Sequence, residues 1–415
     1  MMLHVVQAFL RSGAPALSAA LLVLSLSACG PLSRYDAVPV DAEPRAVIPN
    51  MGDIRFWGDS GDTDALRQGS KEAYQRELAY WQSTGHSGPL PAADYLAISG
   101  GGENGAFGAG LLVGWTAAGT RPTFKLVTGI STGALTAPFA FLGPAYDDRL
   151  KAVYTTISAK DILVERGIYG AIFGEAMADN APLRATVAKY FDQAMLDQIG
   201  REYDKGRVLL IGTTDLDAMR PMIWNIGAIA NSGQPNRLRL VHDILVASAA
   251  IPGAFPPTMI DVEVDGRHYQ EMHVDGGAAA QVFVYPPSLD IGEQSKALAA
   301  ARARHLYVIR NARLDPDWAQ VERSTMSIAG RAITSLIQTQ GVGDLYRIYL
   351  TAGRDGFDFN LAYIPKSFNV KLNEPFETAY MKQLFDLAYD MASKGYPWEK
   401  APPDFVEAQG TIAQN

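Results

Sequence analysis

The stretch Lys125-Leu-Val-Thr-Gly-Ile-Ser131-Thr-Gly-Ala-Leu constrains this chain more than any other. Lys125 to Thr128 is a short apolar run that reads as a buried strand, and Ala134 to Leu142 reads as a helix. Between them lies Gly129-Ile130-Ser131-Thr132-Gly133. Strand, G-x-S-x-G and helix in that order make the sharp turn of a nucleophile elbow. Gly129 and Gly133 let the backbone turn and leave room beside the serine. The Ser131 oxygen is then expected at the carboxyl end of a strand, over the positive end of the next helix, where developing negative charge is best held.

A second glycine cluster stands one strand earlier. Asp94 to Ser99 reads as a strand, and Gly100-Gly101-Gly102-Glu103-Asn104-Gly105 follows it directly and opens a helix over Ala106 to Ala118. Consecutive glycines uncover backbone N–H groups, which suits an oxyanion hole built from Gly100, Gly101 and Gly102. The same residues formally match the dinucleotide fingerprint G-x-G-x-x-G. That fingerprint also wants a carboxylate at the end of the next strand, and here the strand ends in Thr128-Gly129-Ile130. No G-K-[ST] follows, so a P-loop is excluded. Gly108, Gly110 and Gly114 space the helix for close packing.

A serine nucleophile needs a base, and two arrangements are open. A Ser-His-Asp order would draw on His268, His273 or His305, with Asp215 or Asp275 as the orienting acid. Of the other histidines, His4 lies in the N-terminal segment, His86 in a Gly/Ser/Pro loop, and His242 opens a helix over His242 to Ala250. Asp275 differs from the rest because it ends a strand and is followed by Gly276 and Gly277, which presents its side chain at a strand's carboxyl edge. Ile260 to Val264 and Arg267 to Val274 read as a hairpin around Asp265-Gly266 leading into it.

The remaining pattern alternates strands and helices. Arg207 to Thr214, Pro221 to Ile226, His305 to Arg310 and Leu361 to Ile364 read as strands. Tyr146 to Ser158, Pro182 to Ile199, Asp317 to Gln340 and Phe376 to Lys394 read as helices, and Ile162 to Ala178 is an apolar, glycine-bearing stretch suited to capping a site or to a buried loop. Such alternation argues for a mostly parallel sheet covered on both faces. With 415 residues, 48% of them hydrophobic, the chain can bury a large core. Its net charge of -8 and lack of any basic run exclude a nucleic-acid-binding reading.

Residues 1–28 read as a targeting segment: Arg11, then a nearly uninterrupted apolar or small run from Ala14 to Ala28, too short for a comfortable span. Leu26-Ser27-Ala28-Cys29 resembles the lipobox of bacterial lipoproteins, in which the cysteine is lipidated. Cys29 is the only cysteine, so an internal disulfide is impossible and anchoring is the better reading. Gly30 in place of an aspartate favours the outer membrane over the inner. Residues 29–91 are Pro-, Asp- and Gly-rich, with one helical patch from Asp64 to Trp81. Their first part reads as a tether.

Four ordered motifs resemble those of the patatin-like phospholipases: Gly100-Gly-Gly-Glu-Asn-Gly105, Gly129-Ile-Ser-Thr-Gly133, Ala247-Ser-Ala-Ala-Ile-Pro-Gly-Ala-Phe-Pro-Pro257 and Asp275-Gly-Gly277. The resemblance covers about Tyr95 to Gly277. It implies a three-layer α/β/α fold and metal-independent hydrolysis of a phospholipid or other lipid ester, without a cofactor. It also implies a dyad, with Ser131 as nucleophile and Asp275 as base, and Gly101 and Gly102 among the oxyanion donors. Asn104 departs from the pattern, since the family usually has Arg or Lys there. The expected organisation is a signal peptide at 1–28, a tether and extension at 29–91, a catalytic core at 92–290, and C-terminal strands and helices at 291–415 completing or flanking it. The sequence keeps two other readings open: a Ser-His-Asp esterase, and an envelope lipoprotein that binds lipid with little turnover.

Overall fold

The computed structural model describes residues 34–60, 64–165, 175–298 and 302–405. The targeting segment and Cys29 lie outside them, as does 166–174 of the glycine-bearing stretch. Arg34 onward is not a free tether. Ala42, Ala46, Ile48, Met51 and Ile54 are buried, Val47 bridges to Glu263, and β1 (Arg55–Trp57) pairs antiparallel with a later strand. After α1 (Asp64–Ser83) come β2 (Ala93–Ile98), α2 (Gly105–Ala117), β3 (Leu126–Ile130), α3 (Thr132–Leu142) and α4 (Asp147–Thr156). Two short strands, β4 (Val164–Glu165) and β5 (Ala178–Asp179), form a separate ribbon.

The single helix expected over Pro182 to Ile199 is two, α5 (Ala181–Tyr190) and α6 (Gln193–Asp204). Asp192 separates them because its carboxylate accepts from the Met195 N–H and so caps a new helix. There follow β6 (Val208–Asp215), β7 (Arg220–Asn225), α7 (Ile226–Ala230), α8 (Arg237–Ser248), and the hairpin β8 (Thr258–Val264) and β9 (Arg267–Asp275). Asp265 and Gly266 both have positive φ, 51° and 80°, as the tight hairpin turn demands. The C-terminal part supplies α9 (Ile291–Ala297), β10 (Arg304–Arg310), α10 (Thr325–Arg354), β11 (Asp358–Tyr363) and α11 (Thr378–Ser393). Helix α10 thus starts later and runs further than the expected Asp317 to Gln340.

Five strands, in the order β6-β3-β2-β10-β11, are parallel, and antiparallel strands extend the sheet beyond β6. Strands β10 and β11 therefore complete the central sheet from the C-terminal part of the chain. Side-chain alternation divides the core into two layers. Leu96, Ile98, Val127, Leu209, Ile211 and Ile309 face the cluster that contains α2, α3, α8 and α11 residues. Ala97, Leu126, Leu210, Leu306 and Val308 face the opposite cluster, with Leu345 and Ile348 of α10. A mostly parallel sheet between helical layers is the expected three-layer α/β/α arrangement.

Close packing of α2 on α11 explains two of its glycines. A Cβ on Gly110 would sit 2.2 Å from the Phe385 carbonyl oxygen, and one on Gly114 would sit 2.4 Å from that of Tyr389.

Candidate active site

Strand β6 brings the two key side chains together by changing neighbours along its length. Its first half pairs with β3, with Ile130 opposite Gly212. From the next residue on, that edge pairs with the incoming end of β9, with Thr213 opposite Asp275. Strand β9 therefore meets the end of β3 almost head-on, and Asp275 arrives beside the residue after Ile130, which is Ser131.

Ser131 itself carries the strained backbone. Its φ of 55° and ψ of -126° lie where non-glycine residues are rare. The flanking glycines serve space rather than turning: a Cβ on Gly129 would meet the Gly133 oxygen at 2.4 Å, and one on Gly133 would meet the Ile98 oxygen at 2.2 Å. Helix α3 can cross β3 and β2 this closely only without those side chains. The Ser131 N–H donates to Ser248 Oγ at 3.0 Å, and Ser248 Oγ donates to the Gly212 oxygen at 2.7 Å. Ser248 is wholly buried and had no role assigned from sequence, though it lies in the third motif. It fixes the elbow to β6.

The residue Asp275 is 5% exposed, and its carboxylate accepts a hydrogen bond from the Gly277 N–H at 2.7 Å, with the Ser131 hydroxyl beside it. Burial pushes its pKa up to about 6, against the pull of those two neighbours. The Asp275 N–H donates to the Ala250 oxygen at 2.9 Å, tying this end of β9 to the loop after α8. Gly276 packs on β6, where a Cβ would lie 2.6 Å from the Gly212 oxygen.

None of the described histidines has a hydrogen bond to Ser131 in this arrangement. His273 bonds Thr213 Oγ1 and Glu271, His268 bonds Asp261, and His305 bonds Asp94. His242 and His86 bond backbone carbonyls of Phe191 and Pro89. Asp215, the other acid considered, lies with Glu271 and His273 within 4.8 Å, a spacing that could suit a metal ion. Arg55 donates to both Glu271 oxygens, so that carboxylate is already engaged. Burial alone would raise the Glu271 pKa, but His273 and Arg55 hold it down at about 2. The group is thus an ion-pair network under β9.

Of the three expected oxyanion donors, Gly100 is spoken for: its N–H donates to the Gln281 oxygen at 3.1 Å. This pairing corrects the assignment of Gly100, because a donor fixed to a backbone carbonyl is not available to substrate. Gly101 (φ 156°) and Gly102 (φ 57°) both have positive φ, and no partner for either N–H is found among the described residues.

Asn311, just after β10, holds the loop in place and was not found from sequence. Its Nδ2 donates to the Ser99 oxygen, its N–H to Ser99 Oγ, and its Oδ1 accepts from the Gly108 N–H. It also presses on Gly101, where a Cβ would lie 2.1 Å from the Asn311 oxygen. The available signal was its place at the carboxyl end of a central parallel strand, where sites gather.

Asn104 accepts from the Tyr380 hydroxyl at 2.7 Å, which links the glycine loop to α11. Behind the elbow, Thr132 Oγ1 and Thr136 Oγ1 share hydrogen bonds with the buried Tyr154 hydroxyl. Gly105 makes room for that network, since its Cβ would lie 2.1 Å from Thr132 Oγ1. An apolar cavity of about 320 Å³ reaches Ile130, Gly212 and Gly276, but neither Ser131 nor Asp275 lines it. Among the described residues no helix is long and apolar enough to cross a membrane.

No curated protein matched the chain. Among solved structures, VipD from Legionella pneumophila is similar at 11% identity and a TM-score of 0.37, over 74% of this chain. The chain spans 66% of that protein. A family match spans 96–286, from β2 to beyond Gly277, and its description is patatin-like phospholipase. The interval encloses all four motifs, and over it the chain is similar to the patatin-like phospholipase family.

Proposed function

We propose that this chain hydrolyses carboxylic esters of lipids through an acyl-enzyme, with Ser131 as nucleophile and Asp275 as its base. The observation that carries the reading is a buried carboxylate set beside the hydroxyl of a serine at a strained elbow. The family supports lipid acyl hydrolysis in general, and the roles follow from chemistry. As Ser131 Oγ attacks the ester carbon, its proton passes to Asp275. The oxyanion forms opposite the free N–H groups of Gly101 and Gly102, near the start of α3, whose first N–H groups lack intrahelical partners. Collapse breaks the bond to the alcohol, which leaves with the proton from Asp275. Water then attacks the acyl-enzyme, gives its proton to the same carboxylate, and the Ser131 oxygen recovers it as the fatty acid departs.

Asp275 is suited to both halves of this cycle. An ordinary aspartate, with a pKa near 3.9, is a poor base for a hydroxyl. Burial narrows that mismatch while the Gly277 N–H fixes the carboxylate's position. The Ser-His-Asp alternative lacks a hydrogen-bonded histidine in this arrangement.

Treating the protein with a fluorophosphonate and mapping the adduct by mass spectrometry tests the proposal. One adduct at Ser131 is expected, absent in Ser131→Ala. An adduct elsewhere, or none on folded protein, would overturn it. Lipidation of Cys29, placing the protein at the outer membrane, is part of the same proposal. Metabolic labelling with a radioactive fatty acid should mark the protein and leave Cys29→Ser unlabelled; equal labelling of both would reject it.

A further inference from the structure

The first half of α10 breaks the rule that a helix in a folded domain buries its apolar face. Ile328, Ala332 and Leu336 form one row at i, i+4 and i+8, and Ala329, Ile333 and Ile337 form the row beside it. Both rows face solvent: Ile328, Ile333, Leu336 and Ile337 are 55%, 56%, 70% and 38% exposed. The lead-in adds Trp318, exposed by 84%. Only from Gly341 does the helix enter the core, where Leu345 and Ile348 pack under the sheet.

Position and charge narrow what covers this face. At the end of the exposed half, Gln340 Nε2 donates to the Ala279 oxygen at 2.7 Å, and Gln281 Nε2 donates to Gln340 Oε1 at 3.2 Å. The Gln281 carbonyl is the one that holds Gly100, so the apolar rows begin at the rim of the glycine loop. Over the exposed half of α10, from Thr325 to Gln340, the only charged side chain is Arg331, whose Nη2 donates to the Asp317 carbonyl, while the lead-in holds Asp317, Glu322 and Arg323. An anionic surface with an apolar interior accepts both the rows and the arginines.

We propose that the exposed face of α10 seats the protein on an anionic lipid surface, with the glycine loop and Ser131 at the edge of the contact. Choosing a lipid surface over another apolar partner rests on the lipid-hydrolase reading above. Ile333 and Leu336 enter the acyl boundary, and Arg323 and Arg331 meet lipid phosphates.

Flotation with vesicles of phosphatidylcholine and phosphatidylglycerol tests this, using the chain without residues 1–29 and with Ser131→Ala, so that neither the apolar targeting segment, an anchor nor turnover contributes. The parent should float with the vesicles. Adding Ile333→Asp and Leu336→Asp should lower its partition about tenfold or more with the unfolding midpoint unchanged, since both side chains are exposed. High salt should weaken binding, whereas vesicles of phosphatidylcholine alone should capture less. A parent that does not bind, a double variant that binds equally, or a parent dimer that the substitutions convert to monomer would overturn the proposal. Failure of the lipid-hydrolase reading shows separately, as no ester turnover by the Ser131 protein whatever the flotation result.

Discussion

Replacing Asp275 with asparagine should stabilise the protein at neutral pH while abolishing turnover. The carboxyl's ordinary pKa of 3.8 is pushed up to about 6 in the fold by burial. A carboxyl whose folded pKa is raised gives its full stabilising contribution below the unfolded pKa, and loses it as pH rises through the folded one. Above pH ~6, then, the wild type holds a carboxylate that the fold resists by about 3 kcal/mol, taking about 1.4 kcal/mol per pH unit. Asparagine removes that charge and can still accept from the Gly277 N–H. For a body of this size ~1 to 2 °C accompanies each kcal/mol, so the unfolding midpoint of Asp275→Asn should rise on the order of 4 °C at pH 8. The gain should shrink as pH falls from about 6 and nearly vanish near pH ~4, where the wild-type group is itself neutral. Thermal unfolding of both proteins across this range, alongside hydrolysis of a soluble ester, measures both halves. A variant destabilised equally at all pH values would refute the burial argument, and one that keeps turnover would refute the dyad.

The other predictions concern the same few contacts. The kcat/KM for a short-chain ester should fall about tenfold per pH unit below pH ~6, because protonated Asp275 cannot accept the serine proton; a profile flat to pH ~4 would remove Asp275 as base. Ser248→Ala strands the buried Ser131 N–H, which costs about 1–3 kcal/mol, so both the unfolding midpoint and kcat should drop. A stable variant with unchanged kcat would show that the elbow holds its shape without that bond. Tyr380→Phe removes one hydrogen bond of about 1 kcal/mol to Asn104 and should lower kcat roughly fivefold with KM little changed, as expected if α11 steadies the glycine loop. Unaltered kcat would leave the contact purely structural.

Local chemistry was legible in the sequence, and long-range contact was not. The elbow, the hairpin around Asp265-Gly266 and the placement of Asp275 at a strand end rest on neighbours in sequence, and they hold. Helix α10 runs past its expected end at Gln340, through Gly341 and Gly343. In the fold Gly341 lies against the buried Arg310 guanidinium, where a Cβ would come within 2.4 Å of Nη2, so the glycine is a contact and the helix runs on. Residues 34–54 read as a tether because their buried side chains follow no helix or strand period, and only docking on the hairpin and β7 orders them. Gly100 is indistinguishable from Gly101 and Gly102 by composition, and only the carbonyl of Gln281, far along the chain, separates it. Asn311 was hidden for the same reason.

Those long-range contacts bear on how a serine can work with an aspartate alone. In a histidine triad the base carries its own suitable pKa, and the acid only orients it. In the dyad we propose, the acid must be made basic enough by its surroundings, which requires a nearly closed site. The exchange of neighbours along β6 provides this, since β9 replaces β3 at Thr213 and brings Asp275 into the sheet rather than onto a loop. Being in the sheet excludes water and raises the pKa; being the last residue of its strand leaves the carboxylate facing Ser131 and the Gly277 N–H. Moving Asp275 one residue along β9 would turn its side chain to the other face of the sheet. The tight pins at this junction, Gly276 against Gly212, the Asp275 N–H on Ala250, and Ser248 joining Ser131 to Gly212, therefore all serve one requirement. They hold a register in which a buried carboxylate and a strained serine meet.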